Sequence, residues 1–236
     1  MNNTQRVLLS VYLPLTILIL LLDPTHPVYI VVQSIRYTTI ISLFFAVTLI
    51  NKKYNEQKIM APAFFFMALG DFFLVFVSAI GSIQVDLSAF GICSFLIAYL
   101  FLIKAYRRKT LNKGKEILAA IPFLITFIFA AYILAPYIHG AVLFIAIGFS
   151  FVLCYMSWSA VCTLFQNYYS HKAAIMIAIS GIMMYICDMG IAFSLFHPIY
   201  STVYIPILKN IVWFAYILGW SLAAAVIAED NLLLNN

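Results

Sequence analysis

Eight long apolar runs, each cut off from the next by a short polar interruption, constrain this chain more than any other feature in it. They span 7–22, 28–50, 59–79, 87–106, 117–138, 140–165, 173–196 and 204–228. Most approach or exceed the roughly 20 residues that a helix needs to cross the hydrocarbon core of a bilayer. A water-soluble fold cannot hide this much apolar surface. Hydrophobic residues make up 65% of the 236 and charged residues only 9%, against about half and about a quarter in soluble domains. The expected fold is an all-α polytopic membrane protein of eight transmembrane helices, one transmembrane domain over 1–236, since no interruption is long enough to hold a second domain. The first run follows Arg6 as the apolar part of a signal peptide would, but it extends to Leu22. The Asp23-Pro24-Thr25-His26-Pro27 stretch after it is no small-residue cleavage site, so the run reads as a retained helix.

The basic residues test this count independently, because cytoplasmic connections collect Lys and Arg. Arg6, then Lys52, Lys53 and Lys58, then the stretch from Lys104 to Lys115, then Lys172, all flank alternate connections. The intervening ones, at Asp23 to Pro27, Ile80 to Asp86, near His139 and from His197 to Val203, carry no Lys or Arg. Both termini are therefore expected on the cytoplasmic side. The net charge of +5 is mostly this topology signal. It calls for membrane lipids, anionic ones at the cytoplasmic surface, as partners and gives no reason to propose nucleic acid. The compact chain leans toward a bacterial inner membrane, or the endoplasmic reticulum if the source is eukaryotic. Self-association is left open.

Four ionisable side chains remain inside the apolar runs: Arg36, Asp71, Asp188 and Lys209. Each costs about 2.5 to 3.5 kcal/mol at mid-helix, so such residues are expected to face the bundle and pair. At about 1.5 Å of rise per residue, the helix directions put the two aspartates slightly beyond the middle and the two cations in the outer half, in one broad layer. One reading is buried ion pairs that lock helices together; the other is a common polar cavity. Lys209, close to a helix end, also has the option of snorkelling to the interface. Tyr99, Tyr185, Asn210 and Tyr216 belong to the same layer, with Tyr185 three residues before Asp188 and so expected on its face. A faint internal repeat joins them: Asp71 precedes Ala98-Tyr99 with the spacing by which Asp188 precedes Ala215-Tyr216. That pattern points to two parallel four-helix halves.

A carboxyl in a low-dielectric site favours its protonated form, and one beside a cation stays ionised; such a divergence separates an acid from a base. No Gly-x-Ser-x-Gly elbow, P-loop or His-Glu-x-x-His string is present, which argues against a serine hydrolase, an ATPase and a zincin. The four cysteines (Cys93, Cys154, Cys162, Cys187) lie within apolar runs without the close pairs of a zinc site and read as reduced packing residues. No metal and no cofactor is called for.

Three strings carry a resemblance: Gly70-Asp71-Phe72-Phe73-Leu74, then Gly91-Ile92-Cys93-Ser94-Phe95-Leu96-Ile97-Ala98-Tyr99, then Gly181-Ile182-Met183-Met184-Tyr185-Ile186-Cys187-Asp188. Their order and spacing, over roughly residues 30 to 222, resemble the lysoplasmalogenase (YhhN-like) family. Tyr99 stands where that family's motif has histidine, Arg36 where it has lysine, and Cys187 where it has serine. Its late Tyr-x-x-Ala-Gln appears as Tyr216-Ile217-Leu218-Gly219-Trp220. The resemblance implies an eight-helix enzyme that hydrolyses the vinyl ether bond of lysoplasmalogens to a fatty aldehyde and glycerophosphoethanolamine or glycerophosphocholine. On that expectation Asp71 and Asp188 are catalytic, Arg36 holds the phosphate of the lysophospholipid substrate, and Tyr99, Tyr185, Asn210 and Tyr216 line the substrate site. The alternative is a proton-coupled transporter or lipid-moving protein, since paired membrane carboxylates also make proton relays.

Overall fold

The computed structural model describes residues 2–25, 29–77, 87–109, 113–202 and 206–234. Among them the helices are α1 (Asn3–Thr25), α2 (Tyr29–Leu49), α3 (Asn55–Asp71), α4 (Ser88–Tyr106), α5 (Lys113–Leu134), α6 (Ala141–Cys162), α7 (His171–Phe196) and α8 (Pro206–Ile227), with a short helical turn, Pro198–Thr202, before the last. These eight are long and apolar enough to cross a membrane, and no strand is present among the described residues. The sole β-type pairing described is an isolated bridge between Tyr169 and Leu233.

Several helices start earlier than their apolar runs. α3 begins at Asn55 rather than 59, α5 at Lys113 rather than 117 and α1 at Asn3 rather than 7. The reason is local: a polar first turn outside the hydrocarbon is still helical, and the Gln57 side chain accepts from the Tyr54 N–H at 3.0 Å to cap α3. The expected ends at 78–79 and 204, the start at 28 and the connection up to Asp86 lie outside the described residues.

Small residues set how closely the helices approach, as bilayer packing requires. A Cβ on Gly181 of α7 would stand 2.4 Å from the Ala160 Cβ of α6, and one on Gly190 would stand 2.6 Å from Val212 of α8. The Ser180 hydroxyl donates across to the Gly219 carbonyl at 2.7 Å, a second tie between α7 and α8. α8 is the most buried helix; α5 and α6 are the least, and Leu124, Ile128 and Phe144 there point outward as a lipid-facing surface requires.

One end of the bundle is closed by ions. Lys172 Nζ donates to Glu229 Oε2 at 2.5 Å and to Gln5 Oε1 at 2.6 Å, while Gln5 Nε2 reaches the same carboxylate at 2.7 Å. Lys53 meets Asp230 at 2.7 Å, Arg108 meets Glu56 at 3.3 Å, and Arg107 meets Glu116 at 3.3 Å while lying over the Trp158 ring at 4.9 Å. The basic connections found in the sequence thus gather at one end. The C-terminal tail is held there as well, with Ser170 N–H donating to Leu232 at 2.8 Å and Leu234 N–H to Tyr168 at 3.0 Å.

Two measurements follow. Gly181→Ala pushes a methyl into Ala160, and neither partner has a flexible tip to move aside, so the variant should lose about 1 to 3 kcal/mol and melt several degrees lower in detergent. Burial raises the Glu229 carboxyl, but the bonds from Lys172, Gln5 and the Asn231 N–H outweigh it, so the group sits below its ordinary 4.5. A lowered folded value gives stability that is complete above the ordinary value and lost as pH falls through the folded one. Melting temperature should therefore hold above about pH 5 and drop below it, with the drop blunted in Glu229→Gln.

Candidate active site

Two aspartates reach the middle of the bundle because glycines let their helices close in. At the α3–α4 crossing, a Cβ on Gly70 would stand 2.7 Å from the Phe95 ring, and one on Gly91 would stand 2.5 Å from Leu74 Cγ and 3.1 Å from the Gly70 carbonyl oxygen. The backbones therefore touch at the residue before Asp71. Directly after Asp71 the helix widens into a π-helical segment, Phe72–Val77, a form that recurs at functional positions in helices. Tyr37 of α2 stacks on Phe76 within it at 4.9 Å between centroids.

The partners of both carboxyls are phenols. Asp71, buried on α3, accepts from the Tyr216 hydroxyl of α8. Asp188, half-buried on α7, accepts from the Tyr99 hydroxyl of α4 at 2.5 Å. The pairing is crossed with respect to the spacing in the sequence, since each aspartate bonds the tyrosine that follows the other. Phe95 lies between the two pairs, 6.4 Å from the Tyr99 ring and 6.3 Å from that of Tyr216. Asp71 and Asp188 interact electrostatically with each other and with Tyr99 and the buried Cys187 thiol, and Tyr216 does so with Asp71, Tyr99 and Cys187. A phenol bond occupies one carboxyl oxygen and leaves the other for a reacting group or water.

Arg36 is buried on α2 with its guanidinium carbon over the Trp213 ring, 4.2 Å from its centroid, and Gln33 Oε1 lies 3.3 Å from a guanidinium nitrogen. Trp213 in turn meets Tyr216 edge-on at 5.7 Å. A cation, an indole, a phenol and a carboxyl thus form one continuous line from Arg36 to Asp71. A guanidinium over a ring face gains cation–π attraction, and its fork of N–H donors suits an oxyanion.

Tyr185 departs from expectation. Its hydroxyl lies 2.8 Å from Thr126 Oγ1 and 3.4 Å from the Phe123 carbonyl of α5, with Cys154 of α6 at 4.0 Å. A step of three residues falls about 60° short of a full turn, enough to aim Tyr185 at α5 and α6 while Asp188 faces α4. Asn210 and Lys209 are half-buried on α8, six and seven residues before Tyr216. Among the described residues no group of three or more His, Cys, Asp and Glu gathers as a metal site would require. Trp213 is a contributor that sequence reasoning passed over, and Phe95 and Trp220 stood in the quoted strings without a role. In a chain with 17% aromatic residues, nothing marks a ring's contacts until its neighbours are known.

Comparison with known proteins adds one positive finding. A family model described as the YhhN family matches residues 33–227, from one turn before Arg36 to the end of α8. No curated protein and no solved structure matches the chain. Both aspartates, both bonded tyrosines and Arg36 fall inside the matched stretch, and α1 falls outside it. With most of its length matched, this chain belongs to the YhhN family, the lysoplasmalogenase family of multi-pass membrane proteins.

Proposed function

We propose that the protein is a membrane hydrolase that cleaves the vinyl ether bond of lysoplasmalogens, releasing a fatty aldehyde and glycerophosphoethanolamine or glycerophosphocholine. The observation that carries this reading is the pair of carboxyls brought together from α3 and α7, each held by a phenol and within electrostatic range of the other. One carboxylic acid protonates the alkenyl carbon distal to the ether oxygen, giving an oxocarbenium ion. Water adds to the carbon next to oxygen and yields its proton to the other carboxylate, and the hemiacetal collapses to aldehyde and free glycerol hydroxyl. One water is consumed and neither a covalent enzyme intermediate nor a metal takes part. Two carboxyls of unlike protonation are sufficient, as in glycoside hydrolysis.

Tyr99 and Tyr216 orient the carboxyls in this scheme rather than the head group. Arg36, seated over Trp213, takes the phosphate by charge-assisted bonds. The alkenyl tail lies among the apolar helix faces, and the end rich in Lys and Arg faces the cytoplasm, with a bacterial inner membrane or the endoplasmic reticulum as the setting.

Purified protein in detergent should release aldehyde from lysoplasmalogen. Asp71→Asn and Asp188→Asn, which keep the side-chain shape, should each lower kcat by roughly 10²- to 10⁴-fold, and Tyr99→Phe and Tyr216→Phe by about tenfold or somewhat more, the size of a lost hydrogen bond to a charged group. Full turnover in both asparagine variants would sink the assignment. Arg36→Met should raise KM with kcat nearly unchanged, because a phosphate contact is made equally in ground and transition states. Proton-coupled flux in liposomes with no chemical product would favour the transporter reading instead.

A further inference from the structure

One indole touches two groups that have separate tasks in the site. Trp213 is half-buried on α8, three residues before Tyr216 and so a neighbour of it on the helix surface. The Arg36 guanidinium carbon lies over the indole, 4.2 Å from its centroid, and the Tyr216 ring meets it at 5.7 Å with the two planes 82° apart. The first contact reaches the cation of the site. The second reaches the phenol whose hydroxyl donates to Asp71.

The backbone that carries the indole is fixed at this level. A Cβ on Gly190 of α7 would stand 2.6 Å from Val212, the residue before Trp213, so α7 and α8 are in close contact there. Tyr216 has a second ring against it from another helix: Phe95 of α4, at 6.3 Å with the planes 72° apart. Phe95 is itself held by its close approach to Gly70, where a Cβ would stand 2.7 Å from the ring. The phenol therefore has two steeply crossed neighbours, the arrangement that aromatic pairs favour, and Trp213 is one of the two. Arg36 is only 1% exposed, and a cation over a ring is held most strongly where it is desolvated.

We propose that Trp213 is a positioning residue for both halves of the site: it seats Arg36 for the substrate phosphate and holds Tyr216 so that its hydroxyl orients Asp71. The tasks of Arg36 and Asp71 are those of the hydrolase reading, on which this inference rests. Trp213 acts through its two neighbours, so its loss should appear in two kinetic constants at once. A phosphate contact is made equally in ground and transition states, so a displaced Arg36 shows in KM; a carboxyl must be aligned in the transition state, so a displaced Tyr216 shows in kcat.

Trp213→Leu, checked by melting in detergent, should raise KM for lysoplasmalogen roughly tenfold or more, the scale of a desolvated cation–π contact. It should also lower kcat roughly three- to tenfold, the scale of an aromatic pair. Trp213→Phe, which keeps a ring, should recover part of both. Double variants separate these effects from a general loss of structure. Added to Arg36→Met, Trp213→Leu should lower kcat as before without raising KM further; added to Tyr216→Phe, it should raise KM as before without lowering kcat further. Full additivity in either double variant would overturn the proposal. A binding measurement stands apart from turnover and keeps the indole in place. With Trp158→Phe and Trp220→Phe, Trp213 is the one indole left of three. Its fluorescence should shift on titration with a 1-O-alkyl lysophosphatidylethanolamine, which has the phosphate but no vinyl ether, and not with the matching 1-O-alkylglycerol; Arg36→Met should abolish the shift. The absence of a phosphate-dependent shift would overturn the proposal. If the wild type releases no aldehyde, the hydrolase reading falls, while the fluorescence still judges the seating of Arg36 by Trp213.

Discussion

Inside a bilayer no solvent is available to satisfy a stranded polar group, so every buried carboxyl must find its donor within the protein. Here the donors are two phenols, and their placement organises the bundle. Tyr216 on α8 bonds Asp71 on α3, and Tyr99 on α4 bonds Asp188 on α7. Close packing joins the same helices: Gly70 and Gly91 bring α3 to α4, and Gly219 with Ser180 brings α7 to α8. Two polar ties and two small-residue contacts therefore close a ring of four helices around the carboxyls. Loss of either phenol bond would open one side of that ring and leave an acceptor bare in a low-dielectric medium, so the site and the architecture share the same interactions.

Stability is distributed away from this ring. The ionic end gathers Lys172, Glu229, Gln5, Lys53 and Asp230 from segments distant in the chain. α5 and α6 lie outside with largely lipid-facing surfaces. The ion pairs at that end are partly exposed and individually contribute little, but together they fasten both chain ends and α7 to one another. The end where α3 leaves its carboxyl is different in kind. There a π-helical segment meets an aromatic cluster of Tyr37, Phe72 and Phe76, and Arg36 lies over an indole.

How far this was legible from the sequence depends on what each feature costs. Eight spans could be counted because apolar runs of that length have no other stable home, yet their starts were placed about four residues late for α3 and α5, since hydropathy does not register a helical turn made of Asn55-Glu56-Gln57-Lys58 or of Lys113 to Glu116. Asp71 and Asp188 stood out because charges in apolar runs are expensive. Tyr99 and Tyr216 were separable from the other 13 of 15 tyrosines only through their shared spacing from an aspartate, and that spacing did not reveal that the bonds cross. Tyr185 was misplaced by a 60° error that no linear pattern corrects. Trp213 left no signal, because its significance lies entirely in which atoms it faces.

The choice of phenol over cation as carboxyl partner bears on chemistry as well as on packing. A guanidinium in contact with a carboxylate holds it ionised, and removal of the charge by protonation strands a buried cation. A phenol is neutral: it donates to a carboxylate, and when the carboxyl gains a proton the hydroxyl can still find an acceptor in the same pair without leaving a net charge in hydrocarbon. Each carboxyl can therefore change protonation state during turnover, which acid and base roles both demand. Under the proposed function the cation for an anionic head group is best kept at one remove from the carboxyls, and Arg36 on Trp213, linked to Asp71 through Tyr216, is the residue that reading assigns to it. Tyr99 fits the same logic: a donor to Asp188 that brings no charge of its own.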